Sequence, residues 1–392
     1  MTPMKILLVN YEYPPAGGGA GRATRQLALE LVRLGCRVEV LASRGKEPLE
    51  CFPEPGLRIR LLSTHRKSVH ETGPLAMVEF LIKSSIHLRQ SARDQDVDLI
   101  MYFFSIPTGL ATFLAPPATP WLVSLRGGDI PDFNPGEYRL FHALLKRANR
   151  SILRSAHAVV ANSLSLAQAA SRLEPGLQPL VIPNGVDAVA FSPPNREKPL
   201  PTLPLQLLLV SRLNYLKGVQ YLLDALAQLP QGLFALTIIG TGFHETSLKA
   251  QCARLGLENQ VRFLGSMEQQ ELTGHYQAAD LFVLPSFGDS CSNTILEAMA
   301  CGLPIVAARS GGTTELVEEG IHGFLANPQD TPSLMTTLMR FVADPTLCLT
   351  MGNRNRDWMV EKYAWSAVAR QHLRLFESLL ESRQKPLAHA QY

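Results

Sequence analysis

Two series of short apolar runs alternating with amphipathic helical stretches, separated by a proline-rich break, constrain this chain more than any other feature. The first run covers residues 5–10 and has the continuous apolar character of a strand buried on both faces. A glycine-rich turn follows, then a helical stripe with Leu27, Leu31 and Leu34 at i, i+4 and i+7, stopped by Gly35. The next apolar run is 37–42. Strand, helix and strand in that order imply a right-handed crossover and a parallel sheet. Residues 193–204 carry five prolines and little apolar pattern, as an interdomain linker would. The alternation then restarts, with candidate strands at 206–210, 235–239, 261–264, 281–284 and 304–307. Beyond residue 330 the pattern is helical. The last helix, 366–380, carries Val368, Leu375 and Leu379 on one stripe with Ser366 as its N-cap, and the tail from Gln384 is expected to fray. The fold class is α/β with two doubly wound, Rossmann-like domains at 1–190 and 205–365, followed by a helix at 366–382.

Charge excludes some functions. Lys+Arg number 37 against 34 Asp+Glu, a net +3, without the basic excess expected of a nucleic-acid partner. The six cysteines form no C-x-x-C pair and no Cys/His cluster with metal spacing, so reduced thiols and no metal site are expected. From Leu99 to Leu125 no residue is charged, which is long enough for a membrane span. Pro107, Pro116, Pro117 and Pro120 would leave backbone groups unpaired in lipid, so we expect a strand at 99–104, a short helix at 108–114 and a strand at 121–125. The first apolar run is too short for a secretion signal, and a cytoplasmic protein is expected.

Three motifs carry chemistry. Gly17, Gly18 and Gly19 follow a buried strand and open a helix, where close backbone approach and the helix dipole favour phosphate. A flexible turn would look the same, and the spacing is not the Gly-x-Gly-x-x-Gly of nicotinamide sites. Arg212 and Lys217 leave the end of a buried strand five residues apart, positioned to stabilise a leaving diphosphate, although solvated surface cations would read identically. Residues 284–304 run from a buried strand through a polar loop with Asp289 into a helix that starts near Asn293 or Thr294 and stops at Gly302. Asp289 and Glu297 lie eight residues apart and could hold different hydroxyls of one polyol. An ordinary loop acid and helix acid are the plainer alternative.

Together these stretches resemble family 4 of the retaining glycosyltransferases, whose two-domain fold is called GT-B. Asp289 and Glu297 match the family's Glu-x7-Glu pair, and Leu296 to Ala307 is very similar to its pattern. Arg212 and Lys217 match its Arg-x4-Lys pair. Pro183-Asn184-Gly185-Val186-Asp187 looks like its interdomain signature, and the Gly18-Gly19 turn and Gly311 to Glu315 fall where the family pattern puts them. The resemblance runs from about residue 4 to about residue 380. It implies two domains facing across a cleft, an acceptor side before residue 190 and a donor side after 205, closure about the link between them, and a C-terminal helix returning to the first domain.

It also implies roles. Arg212 and Lys217 would neutralise the departing diphosphate, with Asp289 beside them as the third catalytic residue, contacting the transferred sugar. Glu297 would hold the ribose hydroxyls. The backbone around Ser290, Cys291, Ser292, Asn293 and Thr294, with Gly18 and Gly19, would lie near phosphate and sugar. The donor is a nucleotide-diphosphate sugar used without a cofactor or metal. The acceptor is a glycan or lipid-linked precursor, in cell-surface polysaccharide or glycoconjugate synthesis. Epimerase-like chemistry on a nucleotide sugar and a non-catalytic nucleotide or glycan binder are the alternatives. Two departures stand out. Asp289 replaces the usual Glu, and Arg126 stands where many relatives have His in a His-Gly-x-Asp-like sequence ending at Asp129. Arg126 and Asp129 are candidate acceptor or sugar contacts. Arg139, Lys146, Arg147, Arg150 and Arg154 share a helix with apolar residues, which would suit peripheral contact with anionic lipid at the inner face of a membrane, although a solvated helix face packed on the sheet would read the same.

Overall fold

The computed structural model describes residues 3–14, 17–44, 49–66, 73–94, 97–131, 139–195 and 198–384. The chain divides into two compact units, Met1–Asn184 with Trp365–Tyr392, and Gly185–Ala364. The tail beyond Gln384 lies outside the described residues.

The first unit is built on an eight-stranded sheet. Its strands are β1 (Lys5–Asn10), β2 (Arg37–Arg44), β3 (Leu49–Glu54), β4 (Leu57–Ser63), β5 (Leu99–Phe103), β6 (Trp121–Leu125), β7 (Ala158–Ala161) and β8 (Leu180–Val181), in spatial order β3-β4-β2-β1-β5-β6-β7-β8. All neighbours are parallel except the β3–β4 hairpin at one edge. The uncharged stretch 99–125 is β5, a single 3-10 turn, the helix Ala111–Leu114 and β6. Among the described residues no helix is long and apolar enough to cross a membrane. Helices cover both faces of the sheet. Gly19–Arg33 and Trp365–Gln384 pack on one, burying Leu27, Leu31, Val368 and Phe376. Pro74–Asp94, Ala111–Leu114, Arg139–Ser155 and Leu164–Leu173 pack on the other, burying Phe80, Leu88, Ile152 and Leu166. Ser366 falls inside the first turn of its helix and is not its cap.

The second unit holds a six-stranded parallel sheet of β9 (Leu205–Val210), β10 (Phe234–Ile239), β11 (Val261–Phe263), β12 (Leu281–Leu284), β13 (Ile305–Ala308) and β14 (Gly323–Ala326). Their order is β11-β10-β9-β12-β13-β14. The residues that lead into the segment expected to be a linker are docked onto this unit. Thr273 Oγ1 donates to Ala190 O, Gln277 Nε2 to Ser192 O, and Arg356 to the carbonyls of Ala188 and Phe191. In each sheet the chain reverses direction of growth once, between β1 and β5 and between β9 and β12. Loops leaving the carboxyl ends of such strand pairs form the ligand crevice of open α/β sheets.

Candidate active site

β9 ends at Val210 and the chain turns through Ser211 and Arg212 into a single 3-10 turn, Tyr215–Lys217. β12 ends at Leu284 and passes through a polar loop into the helix Asn293–Ala300. Because β9 and β12 are neighbours, the two loops leave the sheet side by side. They are tied together: Phe287 N–H donates to Leu216 O at 2.9 Å and the Ser286 hydroxyl to the same oxygen at 3.2 Å. Two glycines permit close approach, one between these loops and one between the loop after β12 and the loop after β13. Gly218 has φ +70°, and a Cβ there would lie 2.2 Å from Pro285 O. Gly311 has φ +54°, and its Cβ would lie 2.3 Å from Asp289 O. Gly312 N–H donates to that same oxygen at 3.0 Å. Any side chain at 218 or 311 would push the loops apart.

The loops bring Lys217 Nζ to 2.5 Å from Asp289 Oδ1, with side chains 16% and 17% exposed. Burial pushes the Asp289 carboxyl up, but the Lys217 ammonium, helped by Arg212, outweighs it and holds the group below the usual carboxylate range. Its second oxygen is buried, and the Ser286 hydroxyl also helps hold the carboxylate in its charged form. Arg212 is exposed on the same loop as Lys217. Ser292 stands at the helix N-cap, yet its side chain makes no cap bond and meets the Thr294 hydroxyl at 3.1 Å. The first turn of that helix holds no acidic residue, and its dipole end is positive. Ser290, Cys291, Asn293 and Thr294 are partly exposed around it. Glu297, one turn further on, is buried and accepts a 2.9 Å hydrogen bond from the Tyr276 hydroxyl. Tyr276 has no sequence signal, since an apolar helix position gives no hint that its hydroxyl orients a carboxylate. Gly218 is visible in the sequence only as the residue after Lys217.

The first unit arranges its candidate residues differently. Gly18 N–H, expected to face a ligand, donates to the Glu12 carboxylate at 3.0 Å. Gly17 (φ +98°) lies so close to the Glu12 stem that a Cβ there would be 2.6 Å from Glu12 Cβ. Gly19 begins the helix. Asp129 is fully buried and accepts hydrogen bonds from the backbone N–H groups of Ser105 (2.9 Å), Arg126 (3.1 Å) and Gly127 (3.0 Å). Burial pushes its pKa up against the pull of these bonds. In this structure Asp129 orients the loops after β5 and β6. Arg126 is half-buried. Its guanidinium donates to Asn184 Oδ1 at 2.5 Å and lies 4.6 Å from the Phe103 ring centroid. On the basic helix, Arg150 and Arg154 form ion pairs with Glu174 at 2.7 and 2.8 Å, while Lys146 and Arg147 are exposed. The side chain of Arg139 lies outside the described residues. Among the described residues no group of three or more His, Cys, Asp or Glu could hold a metal ion.

Comparisons with known proteins fit this geometry. Residues 18–185 match the family model described as "Glycosyl transferase 4-like domain" and residues 204–344 the model described as "Glycosyl transferases group 1". The chain is 35% identical over 216 residues to a D-inositol 3-phosphate glycosyltransferase of Corynebacterium jeikeium, spanning 51% of each chain. It is 28% identical to the glycogen synthase of Mycobacterium tuberculosis (strain H37Rv) over 93% of this chain and 92% of that one. Among solved structures, sucrose-phosphate synthase of Thermosynechococcus elongatus superposes with a TM-score of 0.84 at 24% identity, covering 97% of this chain and all of the other. HepE of Anabaena, solved in complex with UDP, superposes with a TM-score of 0.73 at 22% identity over 96% of this chain and all of its own. These two likenesses show the fold, and the family models name the group. The chain belongs to the group 1 glycosyltransferases, enzymes of the GT-B fold.

Proposed function

We propose that this enzyme is a retaining, metal-independent hexosyltransferase that takes a sugar from a nucleotide-diphosphate donor and passes it to a glycan or lipid-linked acceptor, in cell-surface polysaccharide or glycoconjugate synthesis. The observation that carries the reading is the Lys217–Asp289 pair beside a helix N-terminus at the reversal point of the second sheet. A diphosphate at this point would meet the Lys217 ammonium, the Arg212 guanidinium and the first-turn amides. Negative charge grows on the leaving oxygen as the glycosidic bond breaks, and fixed donors aimed at that charge lower the barrier. Asp289, held anionic, can accept hydrogen bonds from hydroxyls of the transferred sugar. Glu297, oriented by Tyr276, can hold both ribose hydroxyls. HepE, of the same fold, binds UDP, which supports trying uridine donors first. A membrane-bound acceptor would bring the enzyme to the inner face of a membrane as a peripheral protein.

The test is transfer itself. Purified enzyme is supplied with UDP- and GDP-hexoses and candidate acceptors, and release of nucleoside diphosphate and the anomeric configuration of the product are followed. The expected product keeps the donor's configuration, and Lys217→Ala lowers kcat on the order of 100-fold or more. A product of opposite configuration would remove the retaining assignment. Turnover that survives Lys217→Ala would remove the diphosphate grip.

A further inference from the structure

One helix layer of the first unit is apolar on both sides. On Pro74–Asp94 the inward face buries Ala76, Phe80 and Leu88, as a packed helix should. The outward face carries Leu75, Val78, Ile82 and Ile86, each 51–62% exposed. Their spacing places them along one stripe of solvent-facing surface. Arg89, further along the same helix, donates to Leu114 O, so Phe113 and Leu114, both exposed, lie beside the end of that stripe. In the same layer the helix Arg139–Ser155 exposes Leu140 and Leu144 at 85% and 79%.

The other layer of the same sheet provides an internal comparison. Among the described residues, no large hydrophobic side chain is exposed on Gly19–Arg33 or Trp365–Gln384. Their outward positions are Arg22, Arg25 and Arg33 on one and Arg370, Arg374, Glu377 and Glu381 on the other. Single exposed apolar residues are ordinary, whereas a contiguous series confined to one face marks a contact surface.

Charge identifies the partner. Exposed cations border the apolar stripe: Lys83 and Arg89 on the first helix, Lys146 and Arg147 on the second. Lys83 Nζ donates to the Ser63 carbonyl and hydroxyl, and Arg89 to the Leu114 carbonyl, while Glu79 lies close enough to Lys83 to feel its charge. Two described carboxylates of this layer are engaged. Glu79 accepts from the His65 backbone and ring, and Glu174 is held by Arg150 and Arg154. An apolar stripe with exposed cations at its border fits the boundary of an anionic bilayer, where acyl chains take the apolar side chains and headgroups take the cations. We propose that the outward face of Pro74–Asp94, extended by Phe113, Leu114, Leu140 and Leu144, is the membrane-docking surface of this protein and selects anionic lipid. The basic residues of the helix Arg139–Ser155 are then one border of the surface, and Pro74–Asp94 is its centre. A transferase acting on a lipid-linked acceptor would use such a face, and to that extent the assignment rests on the proposed function.

The experiment is co-sedimentation of the full chain with vesicles of phosphatidylglycerol and phosphatidylcholine, and with phosphatidylcholine alone, at low and high salt. The expected result is binding to the anionic vesicles that weakens as salt rises. The double variant Ile82→Glu, Ile86→Glu should bind on the order of tenfold less. Lys83→Glu with Lys146→Glu removes no buried apolar contact and should lose binding to anionic vesicles only. Arg374→Glu, on the opposite layer, should bind as the unmodified chain does. Each variant's far-ultraviolet circular dichroism and its stabilisation by UDP report whether it is folded, and UDP stabilisation reports on the donor site independently of lipid. The proposal is overturned if the unmodified chain stays in the supernatant with both vesicle types, or if the folded Ile82→Glu, Ile86→Glu variant sediments undiminished. It is also overturned if those substitutions dissolve a self-associated form that never binds vesicles, because the face would then be a protein interface.

Discussion

At Asp289 a largely buried carboxylate stays charged because an ammonium lies 2.5 Å away. Asp289→Asn keeps the shape but leaves Lys217 without its counter-charge, and should cost about 1–3 kcal/mol of stability. Activity should fall by on the order of 100-fold, a larger loss than that stability change explains, and comparing kcat with the unfolding midpoint checks it. The sign of the pH effect follows from the direction of the shift. A carboxylate whose folded pKa is lowered contributes stability above its unfolded pKa, near 4, and loses it only as pH falls through the still lower folded value. Asp289 therefore adds no sensitivity between pH 5 and 8. His372 does the opposite. It is buried, its Nδ1 donates to Val368 O, its Nε2 has no partner, and burial lowers its pKa to about 4. Between pH 6.5 and 4 the unfolded chain takes up a proton that the folded chain refuses, so stability falls with pH by about 3 kcal/mol in all. His372→Gln should flatten the fall in melting temperature between pH 7.5 and 5, and an unchanged slope would show that another group controls it. Arg212, Lys217, Asp289 and Glu297 could be singled out as candidates because they stand at fixed spacings in the sequence. Glu12 and Tyr276 were not, because each acts through a neighbour that only the folded chain supplies.

Elements place those residues. The loop after β9 meets the loop after β12 because Gly218 leaves room for Pro285 O at 2.2 Å from where a Cβ would be, and the loop after β13 meets the loop after β12 because Gly311 leaves room for Asp289 O at 2.3 Å. Gly218→Ala must strain a left-handed backbone as well as displace Pro285. It should cost on the order of 2–4 kcal/mol and misplace Lys217. A Gly218→Ala enzyme with unchanged kcat and melting temperature would mean that the loops need not touch. Strands β1, β2, β5, β6 and β9 to β13 were readable because strands buried on both faces are short apolar runs, whereas β4, β7, β8 and β14 were not picked out. β3 was not, since Glu50, Pro53 and Glu54 interrupt its apolar pattern at a sheet edge, where proline and charge are tolerated. The outward stripe on Pro74–Asp94 was hidden for the opposite reason. A helix apolar all round reads as fully buried, and only tertiary context shows which side lacks a partner.

For the whole molecule, the two units have separate cores, and the candidate donor residues of the second unit lie in one of them. Phe376, on the last helix, is fully buried in the core of the first unit. Phe376→Ala should destabilise that unit by about 3–5 kcal/mol and leave nucleotide affinity unchanged, which calorimetric titration of the folded variant would check. Lost affinity would mean that the donor site depends on the first unit's core. The alternation of strands and helices made the two-sheet plan legible, whereas the docking of residues 187–195 on the second unit was not. Prolines mark where regular structure stops, and they do not say whether the segment is held. The central claim is that Arg212 and Lys217 grip a diphosphate, and thermal stability with UDP, GDP and ADP tests it most directly. One nucleotide, at about 100 times its dissociation constant, should add roughly 2.7 kcal/mol to the native enzyme, and most of that gain should vanish in Arg212→Ala and in Lys217→Ala. Equal stabilisation of native enzyme and both variants, or none with any nucleotide at saturating levels, would contradict it.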